Sequence, residues 1–413
     1  MNPPIHIGFL ARDFLKWGGG VWFIQNLLRG LAALSRTKIQ ITVLVPSDSL
    51  HIRTRRAASR LKQAILHPSR IWQQRSSKTA SQRLLWLEGI EQLAAIVPDL
   101  VVFDGSDEDL MRECNARRID VLLPMISPPT KPSVPWVGYL FDCQHKHFPD
   151  FFSEEEITHR NIAFAELLRK GTVVFSNAKA VIADLQKFFP DHNAELFSLP
   201  FAPLIREEEL TAVIRDSHTF RGNVTDGVPY FIVCNQFWVH KDHGTVIRAF
   251  AKFLQDPTQQ HWRLVCTGST EDYRAQSHFS ELNDIVTELG IDDRVIFTGH
   301  IKRSQQQALL YGAAALVQPT LFEGGPGGGA TSDAIALGVP CLLSDIAVNL
   351  EVEDPLVFFF RVGDPGSLAL AMLDVARTPP IRPSKAMLLD KSNAYAKRLG
   401  ETLLSLAERA CAK

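Results

Sequence analysis

The chain has 413 residues, a formal net charge of −1, and 22% charged against 46% hydrophobic residues. That length suffices for two globular domains, and the balance excludes a disordered chain and gives no ground for nucleic-acid binding. The cysteines (Cys114, Cys143, Cys234, Cys266, Cys341, Cys411) form no C-x-x-C pair, no apolar run reaches membrane-spanning length, and the chain opens on a strand with no signal peptide; reduced core thiols in a cytoplasmic protein are expected.

Ile5–Leu10 is a short apolar strand, followed by a loop with Gly18-Gly19-Gly20 and then Val21, Ile24, Leu27, Leu28, Leu31 and Leu34 at helical spacing. Strand, glycine loop and helix open many nucleotide-binding folds. The full G-x-G-x-x-G fingerprint is missing, and a plain strand-to-helix turn is the alternative. Ile39–Val45 is the next strand. The stretch 51–87 contains no Asp or Glu and interleaves Arg and Lys with Ile65, Leu66, Trp72, Leu84 and Trp86. It suits an arm lying on an anionic membrane surface, a contact for a phosphorylated acceptor, or a solvated face. Glu88–Val97 reads as a helix, and Leu100–Asp104 and Val121–Met125 as strands. Asp107-Glu108-Asp109 formally spells D-x-D, but beside Ser106 it reads as a helix start.

Trp136–Phe141 is a strand that ends in Asp142-Cys143-Gln144-His145-Lys146-His147. Strand ends of this kind are where parallel α/β folds place ligands. A metal site from Asp142, His145 and His147 is the rival reading, although no further ligand lies nearby. Ser153 to Glu156 is a capping-box helix start, Thr172–Ser176 a strand, and the polar stretch 206–226 a linker. Tyr230–Cys234 opens a second unit and leads into Asn235-Gln236-Phe237-Trp238-Val239-His240-Lys241. A lysine next to these polar groups, at the open end of a sheet, suits a phosphate. Leu264–Thr267, Val295–Thr298 and the helix Gln305–Tyr311 continue an α/β alternation of doubly wound type.

The most informative stretch is Val317 to Asp345. After a short apolar strand come Glu323 and five glycines in the six positions 324–329, then Thr331, Ser332 and Asp333 at the start of a helix, Ala330–Leu337. Glycines let bare amides approach a ligand, and a helix N-terminus attracts phosphate. The flanking carboxylates suit sugar or ribose hydroxyls.

Acid, glycine loop, acid, A-x-x-x-G-V-P and a strand ending Ser344-Asp345 resemble the signature E-G-F-G-x-P-x-x-E-A-M-A-x-G-x-P-V-V-x-S-D of the retaining family 4 glycosyltransferases, which have the GT-B fold. The second acid here is Asp rather than Glu, two residues further on. The resemblance implies two Rossmann-like domains facing each other across a cleft: an acceptor domain 1–205, a nucleotide-sugar domain 206–384, and a C-terminal helix 385–413 returning to the first domain. It implies that Glu323 contacts the donor sugar, Asp333 the ribose, and Lys241 the diphosphate together with Gly324, Gly325, Gly327, Gly328, Gly329, Ala330 and Thr331. Gln236 stands where many members have Arg, and His240 would supply part of that charge. Gly19 and Gly20 would approach the diphosphate from the other domain, Gly268 and Ser269 match a donor-side G-x-G, and His300 and Ile301 the nucleobase segment. Asp142 and His145 match acceptor-side positions, with Phe141 where members have His. The expected reaction moves a hexose from a UDP or GDP sugar to a glycan or lipid-linked acceptor, with retention and without a metal or other cofactor, in polysaccharide synthesis at the inner face of the membrane. A GT-B epimerase, a glycan phosphorylase, an inactive binding subunit and a membrane scaffold are the alternatives.

Overall fold

The computed structural model describes residues 3–15, 18–47, 87–97, 99–272 and 274–412. Apart from Leu87, the basic stretch 51–87 therefore lies outside the described residues.

Two parallel sheets form the frame. The first has seven strands, β1 (Ile5–Leu10), β2 (Ile39–Pro46), β3 (Leu100–Phe103), β4 (Val121–Met125), β5 (Trp136–Tyr139), β6 (Val173–Ser176) and β7 (Glu195–Ser198), in the order β3-β2-β1-β4-β5-β6-β7. The second has six, β8 (Tyr230–Cys234), β9 (Arg263–Thr267), β10 (Val295–Gly299), β11 (Ala315–Gln318), β12 (Cys341–Ser344) and β13 (Val357–Phe360), in the order β10-β9-β8-β11-β12-β13. Central strands such as β8 are buried throughout, as expected when helices cover both faces of a parallel sheet. The order reverses between β1 and β4 and again between β8 and β11, and each reversal opens a crevice at the strand C-termini. The two-domain α/β arrangement expected from the sequence is observed.

Several elements differ from expectation. The helix expected from Val21 starts at the glycines themselves, Gly18–Ala32. The supposed linker 206–226 is a helix, Glu207–Thr225, with Leu210, Val213 and Ser217 buried along one face. Glu209 accepts from the Arg206 amide and pairs with Arg29 of the first domain at 2.6 Å. Burial works against charge on Glu209, yet Arg29 and the Arg206 contacts outweigh it and hold the carboxyl below its ordinary value. Asp107 does start a helix, Asp107–Arg117, capped by Ser106.

The C-terminal helix, Lys385–Cys411, joins the two halves. Leu388 packs in the second domain's core, while Leu399, Leu403, Leu406 and Ala410 pack with Ile7 and Leu27 of the first. The crossing is close: a Cβ added to Gly400 would stand 2.1 Å from the Gly30 carbonyl oxygen, which explains why both positions are glycine.

Candidate functional site

Three hydrogen bonds organise the crevice between β8 and β11. Asn235 Nδ2 donates to Gln318 Oε1 (2.8 Å), Gln318 Nε2 donates to Glu323 Oε1 (3.0 Å), and Lys241 Nζ donates to the same oxygen (2.5 Å). Lys241 and Glu323 thus form an ion pair with side chains 13% and 9% exposed. Local structure holds both partners. Lys241 ends a 3-10 turn, Val239–Lys241, after which Asp242 in the left-handed region caps the helix His243–Phe253 by accepting from Thr245. The Leu321 amide donates to the His240 carbonyl (2.8 Å), tying the lysine's turn to the glutamate's loop.

The helix after the loop is Gly328–Ala336, so it begins within the glycine run, two residues earlier than expected. Gly327 and Gly328 have φ of 61° and 66°, a region that favours glycine. A Cβ on Gly328 would meet Glu323 Oε2 at 3.0 Å. The Gly327 amide is used internally, donating to Asn349 Oδ1 (3.0 Å), and the Gly328 amide donates to the Gly325 carbonyl (3.1 Å). These two amides are therefore not free to meet a ligand.

The loop lies against the first domain. A Cβ on Gly324 would stand 2.8 Å from the Phe141 carbonyl oxygen, and one on Gly325 would stand 3.1 Å from Asn177 Cβ. Glycine here serves the close approach of the two domains. Between them is a cavity of about 370 Å³. Gly19, Trp22, Asn26, Tyr139, Asp142, Gln144 and Asn177 line it from the first domain, and Trp238, His240, Lys241, Glu323, Gly324, Gly325, Gly328, Gly329 and Ser332 from the second. Asp142 accepts from the Gln144 amide (2.9 Å). Burial pushes its carboxyl up, as does the charge of Glu323, while Arg160 and Lys241 pull it down.

Most other expected site residues stand elsewhere. His145 is fully buried, bonds Asn161 Oδ1 through Nε2 (3.1 Å), sits edge-on to Phe164, and does not line the cavity. The cause is a helical turn, Gln144–His147, which presents Gln144 to the cavity and turns His145 inward. Burial, with Arg160 and Lys146 nearby, drives His145 down to about 4. His147 goes to Asp184 (2.7 Å), so Asp142, His145 and His147 do not converge on one metal. His240 does line the cavity, and in the free protein burial, Lys241 and Arg274 push it down to about 3, so any charge it supplies there needs an anion beside it. Gln236 is exposed, and neither it nor Gly268, Ser269, His300 or Ile301 lines the cavity. Gly268 instead permits strand packing, since a Cβ there would stand 2.0 Å from the Asn235 carbonyl oxygen. Gly20 is buried in its helix, Thr331 is fully buried, and half-buried Ala330 is outside the lining.

Asp333 is buried and paired with Arg303 (2.5 Å). Burial pushes its carboxyl up against the pull of Arg303. The Arg303 guanidinium also lies 5.6 Å from the Trp22 ring centre, across the cleft. Sequence reasoning missed Arg303, Trp22, Gln318 and Ser332. The available signals were Gln318 as a polar end to an apolar strand, and Trp22 and Asn26 one turn apart on the first helix.

Residues 215–387 match the family model described as "Glycosyl transferases group 1". A search of curated proteins returns no match. Among solved structures the chain is similar to HepE of Anabaena in complex with UDP and glucose, at 14% identity over 98% of this chain and 97% of that one, with a TM-score of 0.53. It is also similar to sucrose-phosphate synthase from Thermosynechococcus elongatus (15% identity, 99% and 94% covered, TM-score 0.53) and to the N-terminal domain of Candida albicans trehalose-6-phosphate phosphatase (11%, 99% and 97%, TM-score 0.61). With the two parallel sheets, these likenesses make the fold GT-B.

Proposed function

We propose that the chain is a glycosyltransferase that moves a hexose from a UDP or GDP sugar to a hydroxyl of a glycan or lipid-linked acceptor, with retention of configuration. The observation that carries this reading is the Lys241–Glu323 pair beside the glycine loop, on a cavity with walls from both domains. The group 1 family match over 215–387 supports it, as does a structural neighbour that holds UDP and glucose.

The donor would lie on the second domain. Its diphosphate would draw Lys241 away from Glu323 and meet the free amides at the start of Gly328–Ala336. As the bond between the anomeric carbon and the phosphate oxygen breaks, negative charge grows on the diphosphate, and a lysine and helix N-terminus already in place stabilise it most at the transition state. These groups replace a metal in this reading. Glu323 would hold sugar hydroxyls. Asp333 would hold the ribose, exchanging part of its contact with Arg303. The acceptor would enter along Asp142, Gln144 and Asn177. Its oxygen bonds the anomeric carbon on the face the phosphate leaves, and its proton passes to the departing phosphate, giving a glycoside and a nucleoside diphosphate. We place the reaction in the cytoplasm, at the inner membrane face for a lipid-linked acceptor, as a step of polysaccharide or glycoconjugate synthesis.

Glu323→Gln tests the assignment. Turnover of the nucleotide sugar falls by on the order of 100-fold or more, as for loss of one preorganised transition-state contact, with UDP or GDP affinity little changed. Normal turnover in the variant contradicts the role of Glu323.

A further inference from the structure

The Lys241–Glu323 pair raises a question of position. A donor diphosphate competes for Lys241, and a glutamate side chain released by its partner has three rotatable bonds through which to wander. The structure contains a second hold on the same oxygen. Gln318 is the last residue of β11 and 1% exposed, and Asn235, the first residue after β8, is 8% exposed. A carboxylate only accepts, so Gln318 must offer Nε2 to Glu323, and its Oε1 is then fixed by the Asn235 amide. Gln318 and Asn235 are rooted in neighbouring strands at the sheet's reversal. Both protein donors use Glu323 Oε1. Among the described residues Oε2 takes no protein hydrogen bond, and it is the oxygen nearest Gly328.

We infer that Gln318, itself oriented by Asn235, is a positioning residue that keeps Glu323 aligned with the donor sugar after Lys241 has turned to the diphosphate. The inference rests on the proposed donor site. It adds a two-residue anchor behind the glutamate. Gln318 touches neither donor nor acceptor; it acts through Glu323 Oε1, leaving Oε2 for the sugar.

Two substitutions in the full chain test it. Gln318→Leu removes the donor at similar volume. Asn235→Asp leaves Gln318 in place but puts an acceptor behind it, so the amide turns over and presents oxygen to Glu323. With the nucleotide sugar that wild type turns over, both variants lose roughly 10- to 100-fold in kcat, the usual cost of an ångström-scale misplacement. The donor KM and the affinity for UDP or GDP stay within about twofold. Unchanged kcat in both variants overturns the inference; so does joint loss of kcat and nucleotide affinity, which is the mark of a structural role. A second measurement does not depend on turnover. With selective glutamine ¹⁵N labelling, the Gln318 side-chain amide signal is identified by its loss in Gln318→Leu. It shifts in Glu323→Gln and again in Asn235→Asp. If wild type turns over no sugar nucleotide, the proposed function fails while the anchor is still read from these shifts; a signal unmoved by both substitutions overturns the anchor.

Discussion

Under the proposed function Lys241 serves two anions in turn, Glu323 and the donor diphosphate. In the free protein it neutralises Glu323 at 2.5 Å with both side chains largely buried. Leaving a buried charge without its partner is costly, so the pair holds both residues in place in the free protein. Lys241→Ala therefore removes the one cation lining the cavity among the described residues. A charge-assisted hydrogen bond is worth roughly 1.5–3 kcal/mol, so UDP or GDP binding measured by calorimetry weakens by about 10- to 100-fold. Unchanged affinity would remove Lys241 from the donor site. At this scale the sequence was half legible. Glu323, Lys241 and the glycines stand out because residue type and spacing carry their chemistry. Gln318 and Arg303 do not, because their partners lie 83 and 30 positions away and only the fold brings them together. His145 misled for the same reason: its neighbours in sequence are polar, while its neighbours in space are Asn161 and aromatic rings.

Helix starts decide much of the site's shape. Glycine was read as loop at 18–20 and 324–329, yet both runs enter the following helix. In a GT-B cleft the demand for close approach outweighs glycine's poor helix propensity. The helix Glu207–Thr225 was hidden by its polar composition, although Leu210, Val213 and Ser217 have helical spacing. The turn around Lys241 carries a pH signature. His243, which begins the next helix, is fully buried against Phe237 with ring centres 4.2 Å apart, and burial drives it down to about 3. Its folded-state value lies below its unfolded value near 6.5. Its contribution to stability is therefore complete above pH 6.5 and is lost progressively as pH falls toward 3. Asp142 and Asp333, pushed up by burial, act in the opposite sense, so the comparison needs a variant. In melts followed by circular dichroism, the midpoint of wild type minus that of His243→Leu shrinks as pH drops from 7.5 to 4.5. A constant difference would show that His243 titrates alike in the folded and unfolded states.

Two domains, one returning helix and a cavity between them make the whole molecule a clamp. The C-terminal helix crosses the first domain at Gly30 and Gly400, and cation–aromatic contacts span the cleft, Arg303 to Trp22 and Arg274 to Phe151. The alternation of strands and helices made the two-sheet frame legible before any coordinates, since hydrophobic periodicity and turn residues are local. Closure across the cleft was not, because it depends on side chains that meet only when both domains are in place. Binding of a nucleoside-diphosphate sugar in this cleft underlies the proposed function. It is tested most directly by thermal unfolding of the full chain with UDP-, GDP-, ADP- and TDP-sugars. A ligand at about 100 times its Kd stabilises the folded state by about 2.7 kcal/mol, roughly 3 °C for a chain of this length. A donor site built on Lys241 gives that rise for one nucleotide and loses it in Lys241→Ala; no rise with any of the four, or an equal rise in the variant, rules such a site out.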